Sequence, residues 1–273
     1  MARTPMLIAV APNGARKSKL DHPELPLRTS ELLKTAEKCV EAGASMMHFH
    51  VRDSYGKHTL DHKIYGPVLK ELEVAVGENM LFQVSSESAG RYRPEEQIEQ
   101  MKRLAPHCLS CGLRELVKDS TDYIVGHTFF SNMHQAGVLL QYILYSPADV
   151  EWYETLCADG VIPGEKHFLL FVLGRYQQQV GKEGIDLPSY ITALKHRSPW
   201  MVCGFGRIEH DLAAQAEKLG GHVRVGFENN LHLPDGSAAP DNAALVKLTS
   251  DIAKAGGRPL ADKLFAESLH RLS

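Results

Sequence analysis

The chain lacks the features that would commit it to nucleic acid, to a membrane or to an oxidising compartment. It has no block of lysines and arginines and no basic stripe interleaved with aromatics, and its formal net charge is −3. Neither a nucleic-acid backbone nor an anionic membrane surface therefore has an electrostatic footprint to bind. Long apolar runs are missing too. MARTPMLIAVAP (1–12) carries one early arginine, but its apolar run is too short for a membrane span or a secretory leader. The five cysteines, Cys39, Cys108, Cys111, Cys157 and Cys203, are odd in number and scattered. They read as small buried hydrophobes in a reducing cytoplasm, not as a disulfide framework. Cys108 and Cys111 form a CxxC inside a strand-like run, whereas redox chemistry wants a helix N-terminus, and no second pair completes a zinc cluster. The glycine-rich turn of a dinucleotide-binding open sheet is absent; Asn13-Gly14 follows the first apolar run instead. No linker or low-complexity segment divides the chain, so residues 1–273 read as one domain.

What is present is a repeat of pattern. Apolar runs fall at 6–12, 45–51, 80–86, 107–113, 138–146, 167–174, 200–206 and 222–228. Most are near-continuous in apolar character, as parallel strands covered on both faces are. Helical stretches lie between them: 30–43, 93–105, 146–160, 187–197, 207–221, 241–257 and a last one at 261–272. The first has Ser30 as its expected N-cap and Gly43 as its stop, and the second has Pro94 in its first turn with acids after it. The run at 107–113 and the helix after it are the least regular. Strand and helix alternating eight times predict the α/β class and a (β/α)8 TIM barrel.

Such barrels place their chemistry at the C-terminal strand ends. The second strand there carries His48 and His50, the third Ser85, Ser86 and Glu87, the fifth Gln141, and the eighth Arg224, Glu228, Asn229 and Asn230. Residues i and i+2 of a strand point the same way, so His48 and His50 can turn onto one ion, with Glu228 across the bowl as a third ligand. A His2Glu set with an open position is the pattern of a catalytic metal. His58 and His62 are rival ligands, but they fall in a loop and are expected to face solvent. Gly204, Gly206 and Arg207 after the seventh strand offer a phosphate-binding loop or a tight turn. Arg224, if it faces inward, needs an anionic partner, either a substrate carboxylate or a structural acid. The long loop 13–29 reads as a lid or as rim.

Four stretches, VAPNGAR (10–16), EAGASMMHFHVRDSYG (41–56), GGHVRVGFENNLHLPDG (220–236) and GGRPLA (256–261), give the chain a resemblance to the β-keto acid cleavage enzymes over nearly its whole length. The resemblance implies a (β/α)8 barrel, a homo-oligomer (dimer or tetramer), and zinc, or another divalent ion, on His48, His50 and Glu228. It implies a reaction of a β-keto acid with acetyl-CoA that yields acetoacetate and a new acyl-CoA. Arg224 matches the family's inward arginine, and Ser85 or Ser86 its strand-three hydroxyl. Two departures stand out. The family's aspartate after the eighth-strand glutamate is Asn229 here, and Gln141 stands near a family acid. An amide keeps shape and a hydrogen bond but accepts no proton at neutral pH. Three functions follow as expectations: cleavage with another base, Glu87 or a water held by Arg224; a different metal-dependent carbon–carbon lyase or aldolase-type reaction; or a catalytically weak keto-acid binder.

Overall fold

All eight apolar runs become strands, and the strands close on themselves. The structure, a computed structural model, describes residues 3–165, 167–175 and 186–269. In chain order the elements are β1 (Ile8–Val10), α1 (Thr29–Ala42), β2 (Met46–Phe49), β3 (Val51–Arg52), β4 (His58–Thr59), α2 (His62–Val76), β5 (Leu81–Ser85), α3 (Pro94–Leu104), β6 (Cys108–Gly112), α4 (Leu113–Leu116), α5 (Tyr123–Gln135), β7 (Leu139–Leu144), α6 (Pro147–Ala158), β8 (Phe168–Leu173), α7 (Leu187–Ala193), β9 (Trp200–Gly204), α8 (Ile208–Leu219), β10 (His222–Val225), α9 (Asn242–Ala255) and α10 (Lys263–Ser268). Parallel pairing runs β1-β10-β9-β8-β7-β6-β5-β2 and returns to β1, a closed (β/α)8 barrel. Among the described residues no helix is long and apolar enough to cross a membrane.

One apolar layer lies between strands and helices, where Leu32, Ala36 and Cys39 of α1 join Met47, Phe49, Phe82 and Val84. A second fills the barrel, with Leu7, Ala9, Met46, Leu81, Phe168, Leu170 and Met201. Above this floor, one wall of the interior turns polar: His48 pairs in register with Gln83, and Ser110 with Gln141. Strand alternation puts Cys108 in the inner cluster and Cys111 in the outer one, so the CxxC thiols belong to opposite faces.

The structure corrects several expected boundaries. The 45–51 run stops at Phe49, and Val51–Arg52 peels away to pair antiparallel with His58–Thr59. The 222–228 run ends at Val225, because Gly226 takes φ 128°, a conformation closed to other residues, with its α-carbon facing the Ala11 carbonyl. α1 begins one residue before Ser30: Arg28 is at the N-cap, and the Glu31 carboxylate accepts from the amides of Leu27 and Arg28. Gly43 ends that helix in the left-handed conformation, as expected. α2 has no counterpart among the expected helices, since Gly66 and Pro67 interrupt its pattern. The last helix is described only to Ser268, and the end of its expected range lies outside the described residues.

A candidate metal centre at the C-terminal end of the barrel

His48 Nε2 and His50 Nε2 stand 3.2 Å apart, and Glu228 Oε2 is 3.5 Å from each. A tetrahedral ion about 2.0–2.1 Å from its ligands spaces those ligands by about 3.3–3.4 Å. The triangle therefore has the edge lengths of one tetrahedral face. Among the described residues it is the group of three metal-ligating side chains whose donor atoms converge. All three residues are buried, and Glu228 Oε2 has no hydrogen-bond partner.

Both imidazoles are oriented from behind. His48 Nδ1 lies 3.0 Å from Gln83 Oε1, and Gln83 Nε2 donates to Gln141 Oε1 at 3.1 Å. The chain of amides leaves His48 Nδ1 as the N–H and Nε2 as the lone pair. His58 Nε2 lies 2.8 Å from the Glu87 carbonyl, which can only accept, so His58 Nδ1 is the acceptor for His50 Nδ1–H at 3.4 Å. His50 Nε2 is then also a lone pair facing the triangle. Burial holds His48 well below the usual histidine range and His58 at about 4, so both are neutral. Burial alone would raise Glu228, but the Arg224 guanidinium outweighs it and keeps the carboxylate ionised.

Local sequence explains the convergence. Asn13 substitutes for a neighbouring strand: its Oδ1 accepts from His50 N at 3.1 Å, and its Nδ2 donates to His50 O and Pro26 O, both at 2.9 Å. His50 thereby keeps an ordered backbone one residue beyond β2. Gly14 (φ 63°) is equally specific, since a Cβ there would lie 2.6 Å from Glu228 Cγ. Glu228 comes from the turn after β10, not from a strand position, and its amide donates to Ala11 O at 2.9 Å. Arg224 faces inward as expected, with Nη2 3.2 Å from both Glu228 Oε1 and Asn229 Oδ1, while its Nε and Nη1 have no partner.

The remaining candidates divide. Ser85 Oγ accepts from Glu87 N at 3.2 Å, whereas Ser86 Oγ donates to Ser110 O at 2.9 Å, toward β6. Gln141 reaches His48 only through Gln83. Gly206 donates to Asn229 O at 3.0 Å, and Arg207 packs its guanidinium over Gly236 at the exposed rim. Glu87 Oε2 lies 3.9 Å from His50 Nε2, and Glu87 Oε1 takes Arg16 at 3.0 Å and Arg175 at 2.5 Å. A cavity of about 420 Å3 opens over Glu228 between residues 13–17, Glu87, Arg175 and Phe205, so the start of the 13–29 loop borders the site. A larger cleft, about 680 Å3, lies between α1, α2 and β3 and includes none of the three ligands. His58 is buried, contrary to its expected solvent exposure, because the β3–β4 hairpin folds it back against His50; His62 opens α2, half-buried against Gln100. Asn13, Lys17, Gln83, Arg175 and the buried Glu209 are further residues of this end that the expectations passed over. Only Asn13, in an Asn-Gly at a strand end, carries a local signal.

Residues 5–269 match the model of the beta-keto acid cleavage enzyme family. The chain is similar to the 3-keto-5-aminohexanoate cleavage enzyme of Fusobacterium nucleatum, 28% identical over 261 residues that cover 94% of each chain. It is also similar to the 3-oxoadipate:acetyl-CoA acetyltransferase of Cupriavidus necator, 27% identical over 274 residues, 97% of this chain and 94% of that one. Among solved structures, the ternary complex of ObcA with a C4-CoA adduct and oxalate superposes with a TM-score of 0.72 at 13% identity, covering 92% of this chain and 68% of that one. The chain thus spans about two thirds of the length of ObcA, and the likeness is one of fold.

Proposed function

The chain belongs to the β-keto acid cleavage enzyme family, and from that premise we propose that it is a metal-dependent acyltransferase. The reaction is R–CO–CH2–COO− plus acetyl-CoA to acetoacetate plus R–CO–CoA. The C2–C3 bond of the keto acid breaks, its CH2–COO− unit joins the acetyl carbon, and the R–CO group passes to the CoA sulfur. One observation carries the reading: two lone-pair imidazole nitrogens and an unpartnered carboxylate oxygen form a tetrahedral face beside an arginine with unpartnered N–H groups.

His48, His50 and Glu228 would hold the ion, and their N2O set suits zinc, with iron, cobalt and manganese as alternatives. When bound, the ion supplies Lewis-acid polarisation of the substrate's keto oxygen. Arg224 binds the reacting carboxylate through Nε and Nη1, and Asn229 braces Arg224 by accepting from its Nη2. Ser85 accepts from the Glu87 amide, which leaves its hydroxyl hydrogen for the substrate. Glu87 is the base. Burial would raise its pKa, but the Arg175 guanidinium on Oε1 outweighs burial and holds it low, so its Oε2 is an ionised acceptor beside the ligand triangle. Gly204, Gly206 and Arg207 are assigned to the coenzyme side. The same reading makes the protein a cytoplasmic homo-oligomer.

The test is metal content together with acetoacetate release from acetyl-CoA and a panel of β-keto acids, in wild type and in His48→Ala and His50→Ala. Near-stoichiometric metal lost with turnover in both variants is the expected result. Turnover that persists without acetyl-CoA would replace the reading with a simple carbon–carbon lyase. Metal without turnover would leave a keto-acid binder, and absence of metal in protein prepared without chelators would overturn the site.

A further inference from the structure

The turn that carries Glu228 is held from three sides. Glu228 N donates to Ala11 O at 2.9 Å, and Phe227 N donates to Asn242 Oδ1 at 2.8 Å. The third side is Glu209, in the first turn of α8. Its Oε2 accepts from Gly226 N at 3.1 Å and its Oε1 from Asn230 Nδ2 at 3.2 Å. Asn230 is fixed as the donor, because its Oδ1 takes His232 N at 3.1 Å. Glu209 thus bridges residues 226 and 230 and brackets Glu228. Glu209 is buried, and among the described residues no cation lies within ion-pair distance of its carboxyl group. A buried acid without a cation costs stability, and the two donors it receives account for its presence: a glutamine there would present an NH2 to one of them.

What the turn must resist stands beside it. Arg224 leaves Nε and Nη1 without a partner, Glu228 leaves Oε2 without one, and the two side chains pair only through Nη2 and Oε1 at 3.2 Å. A guanidinium and a carboxylate so placed satisfy each other best as a bidentate pair. That pairing would withdraw Oε2 from the two imidazoles, each 3.5 Å away, and cover the open edge of the guanidinium. Only the backbone position of the turn keeps the two groups from closing. Resting on the metal-centre reading, we propose that Glu209 is a positioning residue that holds the Glu228 turn open against collapse onto Arg224. It acts through the Gly226 amide and the Asn230 side chain, and through them on the carboxylate between. Asn229 belongs to the same device: its Nδ2 donates to Arg224 O at 3.1 Å while its Oδ1 accepts from Arg224 Nη2.

The experiment measures zinc affinity by competition with a colorimetric chelator, and the visible absorption of the cobalt-loaded protein, in Glu209→Ala and Glu209→Gln. Each substitution is made in wild type and in an Arg224→Leu background. Expected is a fall in zinc affinity of about 10–100-fold in Glu209→Ala and a smaller one in Glu209→Gln, with the cobalt absorption altered in both. Without Arg224 there is nothing for Glu228 to close on, so the same substitutions should cost no further affinity. Tyr153→Phe, which removes the hydroxyl on His167 at the N-terminal end of the barrel, controls for stability: it should lower the melting temperature and leave both readouts alone. Unchanged affinity and absorption in the Glu209 variants overturn the proposal, whatever their melting temperatures. So do equal losses with and without Arg224, which would make Glu209 structural only. If Glu209→Ala does not fold, Glu209→Gln, of the same volume, decides in both backgrounds. Wild type that binds neither zinc nor cobalt would remove the metal centre itself, and the inference with it, before any variant is compared.

Discussion

Among the described residues two arginines are fully buried, and the protein treats them in opposite ways. Arg258, at the N-terminal end, donates to the carbonyls of Thr4, Pro5, Ala216, Glu217 and Gly221, all within 2.7–3.4 Å. It ties the start of the chain to the end of α8 and the strand that follows. Arg224, at the C-terminal end, spends one nitrogen on Glu228, Asn229 and Cys203 and leaves two without partners. The histidines divide along the same line. His222 accepts from Leu7 N at 3.1 Å between Phe168 and Phe265, whereas His48 and His50 aim lone pairs at a triangle that no protein donor fills. Buried polar groups with their valences met are architecture. Buried polar groups held open by a second layer of hydrogen bonds are prepared for a ligand.

The strongest way to break that comparison is to remove each arginine. Arg258→Leu strands several buried carbonyls, and at about 1–3 kcal/mol for each denaturant unfolding should show a loss of about 4 kcal/mol or more, or no folded protein. In the metal-loaded protein, where the ion would compensate the Glu228 carboxylate, Arg224→Leu should shift stability by only about 1–2 kcal/mol, because unpaired buried donors disappear with it, yet cut kcat/KM on the order of 1000-fold. Equal destabilisation by the two would erase the distinction.

Chelation sharpens it next. Removing the ion from wild type should lower the melting temperature, by a margin worth about 4 kcal/mol at metal a thousandfold above Kd. His50→Ala should melt at the same temperature with and without chelator. His58→Ala tests the second layer: metal affinity, followed by competition with a colorimetric chelator, should fall about 10–100-fold. An unchanged affinity would make His58 packing only.

The smallest effects are pH slopes of opposite sign at the two ends, each at most about 1.4 kcal/mol per pH unit. Burial raises Glu209 to about 8, although Asn230 and the Gly226 amide hydrogen-bond it. The native state keeps a proton that the unfolded chain loses near 4.5, so this contribution is greatest below that pH and is lost as pH rises toward 8. Burial lowers His222 to about 3. Its contribution is present above 6.5 and is lost as pH falls toward 3, because the unfolded chain takes up the proton first. Unfolding curves of Glu209→Gln and His222→Gln should each flatten in its own window and nowhere else.

Much of the candidate site was legible before the fold. The HxH pair and the acid at 228 are separated by most of the chain, and the alternation of apolar runs with helices places both at one end of a barrel. What was not legible followed from side chains acting as backbone. Asn13 extends pairing past β2 so that His50 keeps its direction, and nothing in a strand pattern announces that. His58 lies eight residues beyond His50 in a polar stretch that reads as loop; only the hairpin pairing Arg52 with His58 turns it inward. Gln141 reads in the sequence as an amide near a family acid, and only the fold shows that it accepts from Gln83, the amide that orients His48.

The sequence by itself determined the barrel, because burial on both faces of eight strands requires near-continuous apolar runs and their period survives in one dimension. It also determined which residue types reach the C-terminal end of the barrel. Tertiary structure decided which of those groups remain unsatisfied. Hydrogen-bond saturation depends on partners distant along the chain, such as Glu87 for His58 or the Gly221 carbonyl for Arg258. No local pattern can tell a closed arginine from an open one, since the difference lies in what the other strands and loops bring to it.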